Sequence, residues 1–391
     1  MKAFEYYAPT DVFFGEGTEA KAGELVKRYG GSRVAIVYGG GSVVRSGLLK
    51  TVEASLEEEG LTFLEIGGAR PNPTLAFALE AIDKAKAFEA DFVLAVGGGS
   101  AIDTAKGLAH GLANPEADLW DIWTGAYKLT RTTPFGVVVT MPAAGSEMSD
   151  SAVLTNEAIS VKAGLSTNFN RCLFAILDPA LCATLPDYQM AAGITDIMMH
   201  TMERYFIPDS HALLTDEIAE GLLRTVISQG RLVMADRSDK EAMGEVMWCA
   251  ALSHNDLTHM GRVKDFSVHK FGHVLSVFYG AAHGASLAAV WKSWALYLYE
   301  DCLPRFARFA RKVWGVTLEN DAEAALKGIE LTNAFFKEIG MPTSLSELGA
   351  HPSDEEIRRL ALAVTKNDTL RLSKIRPIGA KEAEDILVMA R

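Results

Sequence analysis

Over the first half of the chain, short apolar runs alternate with amphipathic stretches. Residues 34–38, 63–66, 92–96, 137–140 and 174–177 are apolar or nearly so and have the length of buried strands. Residues 48–59 and 75–88 carry apolar positions at helical spacing between them. Strands separated by helices predict a parallel sheet covered on both faces. After Asp178-Pro179 the strand signals stop, and Leu185-Pro186-Asp187 reads as a junction. From there the apolar spacing is helical, as in residues 213–232 and 324–336, with Gly340-Met341-Pro342 and His351-Pro352-Ser353 as punctuation. The expected organisation is a Rossmann-like α/β nucleotide-binding domain over residues 1–186 and an all-α domain over residues 187–391.

Two of the strands run into glycines and then into a helix. The first gives Tyr38-Gly39-Gly40-Gly41-Ser42 and the second Gly97-Gly98-Gly99-Ser100-Ala101-Ile102-Asp103. Glycine lets backbone approach a ligand closely, and a helix start offers free N–H groups and partial positive charge. Two such turns after two strands of one sheet point to a nucleotide or phosphate, although neither is a G-x-G-x-x-G or Walker loop. No carboxylate follows the first strand to hold a ribose hydroxyl and repel a 2′-phosphate. The loop therefore favours NADP, with NAD as the alternative.

The helical half concentrates groups that bind metals. Asp196 and His200 are four residues apart, which puts them on one face of a helix. His269, His273 and His283 fall within fifteen residues, where random placement of nine histidines would put roughly 0.35. Asp265, His269 and His273 also keep helical spacing. Asp196, His200, His269 and His283 together make a nitrogen and oxygen set suited to Fe(II) or Zn(II). Each histidine taken alone reads more readily as a satisfied core or surface residue.

Composition narrows the partners. The chain has 391 residues, 49% of them hydrophobic and 23% charged, enough for two ordinary cores. Its net charge of −12 gives no counterion-release advantage on nucleic acid or anionic membranes. No window approaches a membrane span, and the first residues lack an apolar signal core. The four cysteines form no C-x-x-C pair, and reduced, buried thiols in a cytoplasmic protein are expected.

Taken together, the motifs resemble the iron-containing (group III) alcohol dehydrogenase family along nearly the whole chain. The matching residues include Phe13-Phe14-Gly15-Glu16-Gly17, Pro71-Asn72-Pro73, the second glycine turn through Lys106, Pro142-Ala143-Ala144-Gly145-Ser146-Glu147, and Thr184-Leu185-Pro186. The aspartate and histidine motifs complete the set, and the first glycine loop is most similar to the NADP-linked butanol dehydrogenase and broad aldehyde reductase branch. The resemblance implies that Asp196, His200, His269 and His283 hold the metal. Gly39, Gly40, Gly41 and Ser42 would face the adenosine ribose; Gly97, Gly98, Gly99 and Ser100 would bind pyrophosphate, with Asp103 ordering that turn. Asn72, Thr140, Ser146 and Lys162 would line the rest of the cofactor cleft. It further implies hydride transfer between the cofactor and a small alcohol or aldehyde, the metal acting as a Lewis acid, in a homodimer or larger homo-oligomer.

Within that scheme His273 is the candidate proton relay, with a neighbouring role at the metal as its alternative. The substrate is expected between the domains, near Phe266 and Tyr279. The chain departs from the family at Tyr279 and in the charged segment Arg262-Val263-Lys264-Asp265-Phe266. A dehydroquinate-synthase-like lyase would need a basic cluster at the metal, for which Arg262, Lys264 and Lys270 are candidates. A polyol-phosphate dehydrogenase and a non-catalytic nucleotide-binding regulator are the remaining alternatives.

Overall fold

The computed structural model describes residues 1–208 and 211–391. Two compact units divide the chain. One comprises Tyr7–Leu185 and Arg237–Ala251, the other Met1–Tyr6, Pro186–Asp236 and Leu252–Arg391.

The first unit is α/β. In chain order it runs β1 (Asp11–Phe14), α1 (Ala22–Arg28), β2 (Arg33–Tyr38), α2 (Ser42–Arg45), α3 (Leu48–Glu58), β3 (Thr62–Gly67) and α4 (Leu75–Ala87). It continues through β4 (Phe92–Gly97), α5 (Gly99–Ala113), α6 (Leu119–Thr124), β5 (Phe135–Val139), β6 (Ser151–Asn156), β7 (Val161–Ser166) and β8 (Phe174–Leu177). Six strands form a parallel sheet in the order β1-β8-β5-β4-β2-β3, and β6 and β7 make a separate antiparallel hairpin.

Burial explains why the strands read so clearly. β4 is buried along its whole length, as a central parallel strand covered on both faces must be. One face of the sheet, with Val34, Ile36, Leu94 and Val96, packs on Leu25, Leu49, Val52 and Leu56 from α1 and α3. Each buried aliphatic side chain of this kind contributes about 1.5–3 kcal/mol. β1 is a short, half-buried edge strand beside β8, which is why its apolar signal is weak.

The second unit is helical. It holds α7 (Asp187–Tyr205) and α8 (Leu213–Ala235); α9 (Lys240–Ser253) belongs to the α/β unit as far as Ala251 and only ends in this one. α10 (Ser267–Tyr279), α11 (His283–Leu298), α12 (Leu303–Trp314), α13 (Asp321–Glu338), α14 (Asp354–Val364) and α15 (Ala380–Ala390) follow. α7 is buried continuously from Met190 to Tyr205 and packs on α8 and α11, so it is the central helix of this unit. All four cysteines are buried, and none is in a disulfide. Among the described residues, no helix is long and apolar enough to cross a membrane.

Candidate metal centre and nucleotide loops

Three helices deliver the candidate metal-binding side chains. α7 carries Asp196 and His200 one turn apart, α10 carries His269, and α11 opens with His283. α10 ends on Gly280 in the left-handed conformation and α11 begins three residues later, so a tight turn returns the chain to the same place. Around Asp196 Oδ1 lie His200 Nδ1 at 3.2 Å, His269 Nε2 at 3.6 Å and His283 Nε2 at 3.8 Å. Ligand atoms of Asp196, His200 and His269 all fall within 4.8 Å of one another. Asp196, His200 and His269 are buried, whereas the side chain of His283 is 26% exposed.

The donor set fits a divalent cation. Asp196 Oδ1 and His269 Nε2 are buried and have no hydrogen-bond partner among the described residues, an arrangement that is costly unless something polar or charged completes it. The outer nitrogens are already committed. His200 Nδ1 lies 3.0 Å from the Asp196 carbonyl oxygen, which leaves Nε2 as its ligand atom. His269 Nδ1 bonds the Glu203 carboxylate, which leaves its Nε2 for a metal. Burial by itself would raise the Asp196 carboxyl, but His200, His283 and His269 hold it well below the usual carboxylate range. Burial pushes His200 down, so its imidazole is neutral, as a ligand must be. Burial also opposes a second proton on His269, yet Glu203 and Asp196 together push it up to about 9. That surplus of negative potential is what a bound cation would answer.

Glu203 is the residue that sequence reading missed. Its Oε1 also accepts from the backbone N–H of Val268 at 2.6 Å and of His269 at 3.3 Å, so one carboxylate fixes both the ring and the helix start that bears it. Its spacing could have exposed it, because it lies seven residues after Asp196 and three after His200 on the same helix face. His254, which stacks on His200 with ring centroids 4.1 Å apart, was missed for want of any such periodicity. The helical stripe expected of Asp265, His269 and His273 is corrected. Asp265 precedes α10 and accepts the N–H of Ser267 at 2.7 Å instead of extending the helix. His273 lies with its ring 5.4 Å from that of His283 and 6.4 Å from that of His269.

The glycine turns lie in the α/β unit. β2, β4 and β5 are adjacent and parallel, with Tyr38 opposite Val96 and Gly97 opposite Val139. Gly39, Gly40, Gly41 and Ser42, then Gly98, Gly99 and Ser100, and Thr140 therefore emerge from one carboxyl edge, where the strand order reverses. Gly41 has φ +98°, which a side chain would strain, and it starts α2 at Ser42. Gly98 starts α5 with no side-chain cap, so the first turn keeps its donors open toward that edge. Asn72 Oδ1 accepts from Lys162 Nζ at 3.0 Å.

Beneath the second turn is a buried polar knot. Asp103 accepts from Ser146 Oγ at 2.6 Å and from Val153 N–H at 2.9 Å. Lys106 Nζ donates to Ser146 Oγ and to the carbonyls of Ser146 and Ser151 at 2.7–2.8 Å. Burial pushes the Asp103 carboxyl up and the Lys106 ammonium down, and the charge of each opposes the shift of the other. This knot ties α5 to the segment around residue 146 and to β6.

Two family models account for most of the chain. One described as iron-containing alcohol dehydrogenase matches residues 9–179, and one described as the C-terminal part of the Fe-containing alcohol dehydrogenase family matches residues 190–390. NADH-dependent butanol dehydrogenase A of Clostridium acetobutylicum is 37% identical, with 99% of each chain covered. NADPH-dependent aldehyde reductase YqhD of Escherichia coli is 34% identical over 89% of this chain and 90% of its own. The crystal structure of NADH-dependent butanol dehydrogenase A from Thermotoga maritima superposes with a TM-score of 0.95 at 35% identity, covering 100% of this chain and 99% of that one. With matches of this extent in both halves, the chain belongs to the iron-containing alcohol dehydrogenase family.

Proposed function

We propose that this protein interconverts small primary alcohols and aldehydes with a nicotinamide dinucleotide, NADP in preference to NAD. The observation that carries the reading is the Asp196, His200, His269 and His283 cage, with two orphaned buried donor atoms and an outer carboxylate on one ring. In that cage a divalent ion, Fe(II) or Zn(II), would supply Lewis acidity toward the substrate oxygen, and the dinucleotide would supply the hydride.

The remaining work falls to the chain. Glu203 keeps the His269 ring in one tautomer and one orientation. Phe266, its ring 5.1 Å from that of His269 and 6.1 Å from that of His200, shields the cage from water on one side. His273, close to His283 and half-buried, would hold a proton for the substrate oxygen. Gly98, Gly99 and Ser100 would receive the pyrophosphate on the start of α5, with Gly97 ending the strand and Asp103 holding the turn from below. Gly39, Gly40, Gly41 and Ser42 would receive the ribose and its 2′-phosphate, and the open, carboxylate-free loop supports NADP. Asn72, Thr140, Ser146 and Lys162 are proposed around the same cofactor. A cytoplasmic location is proposed, in keeping with four buried cysteines outside any disulfide. A homodimer or larger assembly is proposed from the family resemblance.

The test is a steady-state assay of purified protein with NADPH and NADH across C2 to C6 aldehydes, before and after chelation and after return of Fe(II) or Zn(II). Metal-dependent oxidation of NADPH is expected. Full turnover in the chelated protein would overturn the reading. The lyase alternative loses its basic cluster at Arg262, whose guanidinium is bonded to Asp216 and to the carbonyls of Thr215 and Thr258.

A further inference from the structure

An arginine folds back onto the first glycine loop. Arg45 closes the single turn of α2, and its backbone N–H donates to the Gly41 carbonyl at 3.1 Å. Its side chain returns to the same residue: Nη1 lies 3.3 Å from the point where a Cβ on Gly41 would stand. The glycine is needed there twice over. Its φ of +98° strains any other residue, and a Cβ would press on the guanidinium. At Gly40 a Cβ would meet nothing within 4 Å, so the preceding residue of the loop borders open space.

The side chains of this turn are unused. Ser42 and Arg45 are exposed, and among the described residues the Ser42 hydroxyl and the Arg45 guanidinium have no hydrogen bond or ion pair. Their neighbours are engaged. Gly68 and Ala69, in the turn after β3, donate their N–H groups to the carbonyls of Tyr38 and Gly39, which pins the loop at its start. The Tyr38 hydroxyl donates to Glu65 at 2.9 Å, and its ring covers Gly67. Glu53 bonds Glu65 in turn, and burial together with the Glu65 charge pushes the Glu53 carboxyl up. These two acids belong to Tyr38 and β3, and neither pairs with Arg45. Arg70, one residue past the turn after β3, is the other exposed cation of this edge.

A guanidinium so placed suits a phosphate. Its planar fork matches two phosphate oxygens, and the carboxylate-free loop sets no like charge against them. The chain carries a net charge of −12 and repels a polyanionic cofactor at long range, which a cation at the point of contact offsets. Exposure makes the selection one-sided. With a bare ribose hydroxyl in the loop the guanidinium stays in water and loses nothing, whereas a 2′-phosphate gives it a charge-assisted bond.

We propose that Arg45 selects NADP over NAD, its guanidinium taking the 2′-phosphate of the adenosine ribose together with the Ser42 hydroxyl. This inference rests on the reading that a nicotinamide dinucleotide binds the glycine loops, and it names the group that discriminates.

Calorimetry on the full-length protein with 2′,5′-ADP and with 5′-AMP isolates the 2′-phosphate, the one difference between these ligands. The wild-type protein is expected to bind 2′,5′-ADP more tightly. Arg45→Met is expected to lower the ratio of the two affinities by about tenfold or more, and Arg45→Lys to lower it less. The ratio of kcat/KM with NADPH to that with NADH should fall in parallel, through the KM for NADPH. An unchanged affinity ratio in Arg45→Met would overturn the proposal. So would a fall of equal or larger size in Arg70→Met, which would assign the effect to the charge of the edge and not to this contact. Equal binding of both ligands by the wild-type protein would overturn the inference and the NADP preference together, while metal-dependent oxidation of NADH would leave the dehydrogenase reading standing. Absent turnover with either cofactor would strike at that reading, and the calorimetry would still decide the role of Arg45.

Discussion

Glu203 on α7 accepts a hydrogen bond from His269 Nδ1 on α10, so the helix bearing Asp196 and His200 orients the proposed ligand on another. Replacing Glu203 by Gln keeps the shape and removes the charge. Metal affinity is expected to fall by about 10- to 100-fold. A competition titration against a chelator measures this, and an unchanged circular dichroism spectrum separates the loss from misfolding. Unaltered affinity would show that Glu203 merely fills space.

His269→Ala removes a ligand outright. Metal content by elemental analysis and turnover are both expected to vanish, while NADPH affinity by fluorescence titration stays near the wild-type value. Chelation of the wild-type protein should lower its unfolding temperature, and Fe(II) or Zn(II) should restore it. An ion present at a hundredfold its Kd contributes about 2.7 kcal/mol to the folded state. Retained full activity in His269→Ala would count against the mechanism.

The proposed ligands could be read in the sequence because the chemistry is rare and the spacing short. Asp196 and His200 declare themselves by one helical turn, and the three later histidines by density. The sheet was legible for a related reason, since a central strand such as β4 has no polar face to disguise it. β1 escaped notice because an edge strand buries little. The β6–β7 hairpin alternates, with Ala152 and Leu154 buried between more open neighbours, and its polar half hid it.

Lys106→Met would leave the Asp103 carboxyl buried without its cation. A loss of about 3–5 kcal/mol is expected in urea unfolding. The double variant Asp103→Asn with Lys106→Met should recover part of it, because it removes the stranded charge. Additive losses in the double variant would deny the coupling.

Glu147 gives a pH signature. Burial raises its carboxyl to about 7, while the unfolded chain keeps the ordinary value of 4.5. Between these values the folded form holds a proton that the unfolded form has released. This group's contribution is therefore complete below about pH 4.5 and is lost as pH rises through 7, by roughly 3 kcal/mol in total. Glu147→Gln should remove that loss, so the variant should gain on the wild type between pH 5 and pH 8. Parallel stability curves for the two proteins would refute the assignment.

Gly284 follows the proposed ligand His283, and a Cβ at that position would sit 2.0 Å from the carbonyl oxygen of Ala192. Two of the three helices that carry the proposed ligands thus meet main chain to main chain, four residues before Asp196 on one and one residue after His283 on the other. Any side chain at position 284 would push the two helices apart, so the separation of Asp196 from His283 is set by main chain and not by side-chain packing.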